Sequence, residues 1–201
     1  MKRVISALLV IGSLAFLTGC DSGVAAQFGD TKISQSTIQS RISEILSERR
    51  KYDTSQMQLS SGEALNRSEL RFHLISAVFE KLASENGIVI TQAMKDSRRA
   101  EIYSQVGGIE KLPQALISAQ LAPSDFDLYL QSELISNSLI AKLKASGVAD
   151  SDTGLALQKL VAGITQKYVV KINPQYGTWD PNNADLVSYD PAGTAVKTLN
   201  S

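Results

Sequence analysis

The chain has 201 residues, 43% of them hydrophobic, and sets 20 Lys and Arg against 20 Asp and Glu for a formal net charge of zero. That balance excludes a broad basic field for gripping nucleic acid or an anionic bilayer. One cysteine and one histidine exclude a disulfide framework and leave too few soft ligands for a Cys/His-rich metal centre.

Lys2 and Arg3 open the chain, and the fourteen residues 4–17 follow without a charge. This is the charged start and apolar stretch of an export signal, too short to span a bilayer, which takes about 20 apolar residues. Leu17-Thr18-Gly19-Cys20 then resembles the lipobox of bacterial lipoproteins. The resemblance implies a thioether from Cys20 to diacylglycerol, cleavage after Gly19 and a chain facing outward from a cell membrane. Each buried methylene of such an anchor contributes about 0.8 kcal/mol, so two or three acyl chains hold firmly. Removing nineteen of the 201 residues leaves 182 and a charge of −2, because Lys2 and Arg3 go and no acid does. Asp21 after the anchor resembles an inner-membrane retention signal where a bacterium has two membranes.

After a spacer over residues 20–23, residues 24–28 read as a strand, Gly29-Asp30 as a tight turn and residues 31–33 as the return strand. Ser34 caps a helix in which Ile38, Ile42, Ile45 and Leu46 share one face. Residues 52–63 lack periodicity and read as a flexible loop containing Met57. Asn66 and Glu69 have capping-box spacing for a helix that reaches Asn86, with Phe72 and Phe79 among its apolar residues and Gly87 as its stop. A Thr91-capped helix follows, its inner side faintly drawn by Met94, Ala100, Tyr103 and Val106, and Gly107-Gly108 ends it. A short helix tolerates Pro113 in its first turn.

Ser124 reads as the cap of the longest helix, over residues 124–145, whose apolar residues, Phe126 and Tyr129 among them, leave a narrow polar stripe. Two outcomes are open for so apolar a helix: burial between neighbours, or a surface kept for a partner. A last helix spans residues 152–161, and "QKYVVKI" suits a strand that closes the domain against the first hairpin. From residue 173 turn chemistry dominates, giving irregular wrapping and a mobile tail. Tyr176 and Trp179 either pin that tail to the helices or face a client.

The order of "VAAQFGDTKIS", an amphipathic helix, "LISAVFEKLASENGIVIT", a glycine-broken helix pair, "LAPSDFDLYLQSELISNSLIAKL" and a closing strand resembles the N-terminal domain of the SurA and PrsA family of exported chaperones and foldases. The resemblance implies a mainly α domain over residues 24–172, with a small hairpin closed by a C-terminal strand, that cradles unfolded or extended polypeptide. Family members often carry a parvulin-type prolyl isomerase ahead of the closing strand. Here the twenty residues 146–165 leave no room for one.

Catalysis is not expected. A Ser/His/Asp triad would require His73 as its base, and neither a GxSxG elbow nor a phosphate loop occurs. Serine chemistry assisted by a lysine is not excluded by spacing. His73 reads as an exposed or half-buried helical residue that cannot assemble a metal site, and no cofactor is implied. The sequence thus points to a lipid-anchored protein that shields non-native exported polypeptides, with Met57, Phe72, Phe79, Phe126 and Tyr129 as contact residues and no nucleic-acid partner. A scaffold or regulatory lipoprotein docking to one envelope partner is the alternative.

Overall fold

The computed structural model describes residues 23–188; the segment read as an export signal, Cys20 and the last thirteen residues fall outside them. β1 (Val24–Phe28) and β2 (Thr31–Ser34) form the antiparallel hairpin read from the sequence, with Gly29 at the positive φ of 55° that the turn needs. Ser34 ends β2 and caps α1 (Gln35–Arg49), its hydroxyl accepting from the Thr37 amide at 3.0 Å. Ile38, Ile42 and Ile45 are the buried face of α1.

Residues 51–61 carry no helix or strand, yet their end is pinned. Arg49 donates to the Ser60 carbonyl at 2.6 Å, and the Ser60 amide donates to Gln120 Oε1 at 2.6 Å. α2 (Gly62–Glu85) begins a full turn before the expected capping box. Its cap position is Ser61, so Asn66 and Glu69 lie inside the helix, and Glu69 is buried. The Asn66/Glu69 spacing imitates a cap that the helix does not use.

α2 is the axis of the molecule. Leu70, Leu74 and Val78 fall at i, i+4 and i+8 and are fully buried. Burying each such side chain contributes about 1.5–3 kcal/mol. Around them sit α1, β1, α5 (Phe126–Ala145) and α6 (Thr153–Lys167). α6 runs six residues beyond the expected end at Val161, and Val161 and Ile164 carry its face into the core. β3 (Val170–Ile172) then pairs antiparallel with β1, Phe28 opposite Val170 and Ala26 opposite Ile172, so β1 is the middle strand.

Residues 173–188, expected as irregular wrapping, form a turn and a second hairpin, β4 (Thr178–Asp180) with β5 (Asp185–Val187). Tyr176 is 2% exposed inside the main core, and Trp179 lies against that core. Both aromatics therefore pack. Gly177 has φ 124°, and a Cβ there would stand 2.1 Å from the Val187 carbonyl oxygen, so this corner requires glycine.

α3 (Gln92–Val106) and α4 (Leu112–Ala119) form a separate flank. Thr91 caps α3 as read, and Gly107 stops it in the left-handed conformation. No residue of α3 is buried. Its inner face is Lys95, Arg98, Arg99, Ile102 and the expected Tyr103 and Val106, while the expected Met94 and Ala100 are exposed, Met94 at 38%. The reason is α5 opposite, which offers Asp127 to Lys95 and Arg99, each at 2.6 Å, and Glu133 to both nitrogens of an Arg98 fork at 2.5 and 2.9 Å.

Candidate functional site: a groove beside a buried charge cluster

Between α2, α3, α4 and the start of α5 lies a groove of about 480 Å³. Its apolar lining comes from Ile102, Leu112, Leu116, Leu121 and Phe126. Polar groups stand among them: Ser68, Arg71, Arg98, Gln105 and Gln120. Apolar walls with a few fixed polar groups are the usual make-up of a binding site. Three of the five sequence-chosen contact residues meet here, Phe72, Phe126 and Tyr129. Phe126 stacks with Tyr129 at 6.4 Å between centroids and with Tyr103 at 6.3 Å.

The remaining two lie elsewhere. Phe79 is half-buried against the main core and lines a small hollow with Leu157 and Val161 of α6. Met57, in the long loop, rests its sulfur 4.0 Å from the Ser118 hydroxyl on α4. Most of α5 is covered by α2, α3 and α6, so burial between neighbours, not a free face, accounts for its apolar composition. Only its first turn contributes to the groove lining.

One wall residue, Glu69, belongs to a buried charge cluster that local sequence patterns do not reveal. Asp125 closes a 3-10 turn (Pro123–Asp125) ahead of α5 and is 2% exposed. The expected Ser124 cap is replaced by a carboxylate from another helix: the Ser124 amide donates to Glu44 Oε2 of α1 at 3.2 Å. Arg41 of α1 joins the two acids, Nε to Asp125 Oδ1 at 2.9 Å and Nη1 to Glu44 Oε1 at 2.9 Å. His73, one turn after Glu69 on α2, places Nε2 3.0 Å from Asp125 Oδ2 and 3.2 Å from Glu69 Oε1.

Nε2 carries at most one proton, and the shorter contact to Asp125 takes it. Glu69 Oε1 is thereby left buried without a hydrogen-bond partner. Burial works against the imidazolium, but the two adjacent carboxylates, Asp125 first and then Glu69, outweigh it and push His73 up to about 9. Burial raises the Glu69 carboxyl, and nearby Asp125 adds to that rise against the pull of His73. Asp125 moves the other way: burial raises it, yet His73, the neighbouring Glu69 carboxyl and Arg41 hold it below the ordinary aspartate range. Glu44 is likewise lowered, its burial outweighed by Ser124 and Arg41.

Around His73, read from the sequence as unable to assemble a ligand set, the fold brings two carboxylates together. Glu69, His73 and Asp125 each present one donor atom within 4.8 Å of the others. Glu69 and His73 at i, i+4 were a legible signal; Asp125, 52 residues beyond His73, was not. Comparisons of the chain with protein-family models, with curated proteins and with solved structures find no match. Among the described residues no helix is long and apolar enough to cross a membrane.

Proposed function

We propose that this protein binds extended, apolar-rich segments of non-native polypeptide in the groove under α3, without a covalent step, and does so from a membrane tether at Cys20 on the extracytoplasmic side. The groove itself carries the reading: about 480 Å³ of space with an apolar lining from four elements and polar side chains among it. A side chain or two of a client would enter against Phe126 and Ile102, while Arg98, Gln105 and Gln120 meet its backbone carbonyls. α3, with nothing buried, is the wall best able to adjust to different sequences. Capture of this kind acts by mass action, lowering the concentration of aggregation-prone free chain. The resemblance to the SurA and PrsA N-terminal domain and the Cys20 lipobox belong to the same reading.

The test is suppression of aggregation of two unrelated unfolded proteins by the 20–201 chain, beside an Ile102→Glu variant whose circular dichroism matches the parent. The parent delays aggregation of both clients, and the variant loses most of that effect. Equal protection by the variant, or none by the parent, removes the groove from the account. Protection absent for both clients, with stoichiometric capture of a single envelope protein, would favour a scaffold.

A further inference from the structure

Glu69, His73 and Asp125 stand together for a reason that peptide capture does not use. His73 is the one histidine of the chain, and it is flanked by two carboxylates that are 3% and 2% exposed. The distances are telling. Ligand bonds of about 2.0–2.1 Å place the donor atoms of a tetrahedral ion about 3.3 Å apart and those of octahedral neighbours about 2.9 Å apart. Nε2 lies 3.2 Å from Glu69 Oε1 and 3.0 Å from Asp125 Oδ2, so two edges of a coordination polyhedron are already in place. A second observation is that Glu69 Oε1, on a side chain more than nine-tenths buried, has no hydrogen-bond partner.

We propose that Glu69, His73 and Asp125 form a binding site for a divalent transition-metal ion of the zinc class, reached from the groove that Glu69 lines. One imidazole and two carboxylates are a borderline-to-hard donor set that suits Zn²⁺, Co²⁺, Mn²⁺ or Fe²⁺ better than Ca²⁺, which takes six to eight oxygens. The ion balances the two ligand carboxylates, and Arg41 balances Glu44 beside them, so the cluster is neutral when loaded. The Nε2 proton now held toward Asp125 leaves to solvent as the ion enters. Arg41 on Asp125 Oδ1 keeps Oδ2 turned to the site, the role outer partners commonly serve around metal ligands. Three protein ligands leave a coordination position for water or for a client carbonyl or carboxylate. The site does not depend on the proposed chaperone function.

The experiment uses tag-free 20–201 chain with Cys20→Ser, stripped with chelator and titrated with Zn²⁺ by calorimetry and with Co²⁺ by visible absorption. One ion binds per chain, and X-ray absorption of the zinc form shows a single imidazole, which His73 alone can supply. Glu69→Gln keeps the shape of the side chain and lowers affinity at least about 100-fold, since even outer-shell partners are worth about 10–100-fold. His73→Gln removes the imidazole signal. Absence of saturable one-to-one binding overturns the proposal, and so does binding that Glu69→Gln leaves unchanged. Should His73→Gln fail to fold, Glu69→Gln and the X-ray spectrum still decide.

Discussion

The two flanks of α2 are held by different physics. On one side Leu70, Leu74 and Val78 lie in a continuous aliphatic core shared with α1, α5, α6 and both sheets. On the other, α3 and α4 rest on a small cluster of Leu116, Phe126 and Leu130, and α3 is fastened to α5 through Lys95, Arg98 and Arg99. Buried hydrocarbon is cooperative and insensitive to salt, whereas exposed ion pairs contribute about 0–1 kcal/mol each and are screened. The groove proposed to take a client is therefore walled by the side that opens at least cost.

The largest effect expected separates the two cores. Leu74→Ala leaves a sealed cavity and should cost toward the upper part of the range of about 2–5 kcal/mol for such truncations. Leu116→Ala opens onto the groove, where neighbours and water can fill the space, and should fall at or below the lower end. Urea denaturation of both variants checks this, and equal losses would dissolve the distinction.

The charge cluster comes next. In chelator, the folded His73 holds its proton to about 9 against an ordinary 6.5, facing Glu69 of its own helix and Asp125, with Arg41 behind Asp125. A raised histidine contributes stability that is complete below about pH 6.5 and is lost as pH rises to about 9, by about 3 kcal/mol at about 1.4 kcal/mol per unit. Asp125, held low, acts in the opposite sense in acid, contributing stability above the ordinary aspartate range that is lost as pH falls. Urea midpoints at pH 6.5 and 9 should therefore fall for the parent and stay nearly level for His73→Gln.

The smallest effect on global stability is also the most local. Arg98→Ala removes the fork onto Glu133 and should change the urea midpoint by about 1 kcal/mol or less. Amide exchange in α3 should nonetheless quicken, as it should for the parent in high salt, while exchange in α2 stays slow. Exchange rising equally in both helices would mean that α3 is no looser than the core.

What the sequence showed of this arrangement depended on range. The Ser34 and Thr91 caps and the Gly29-Asp30 turn were legible, because capping and turn chemistry act within three or four residues, and the pairing of β3 with the first hairpin was legible from the β-rich run that forms it. Glu69 misled because capping-box spacing is also the spacing of two residues inside a helix. Its neighbour is His73, one turn further along α2. The α6 end was missed because Gly163 resembles a breaker, yet it stands in the helix with open space beside it. The short strands of the second hairpin, three residues each, cannot display alternation. Of the groove, its aromatic members could be chosen as large apolar residues on helices, but the cluster behind them arises from contacts 52 and 84 residues apart.

The middle position of β1 has a consequence for the order of events during synthesis. Residues 24–28 leave the ribosome early, but one of their two neighbours is supplied by residues 170–172, roughly 140 residues and many seconds later. For that interval the nascent chain carries a strand with an unclaimed row of amides and carbonyls, open to pairing with any other extended chain. Completion of this sheet is a last step, and sequence distance makes it a slow one.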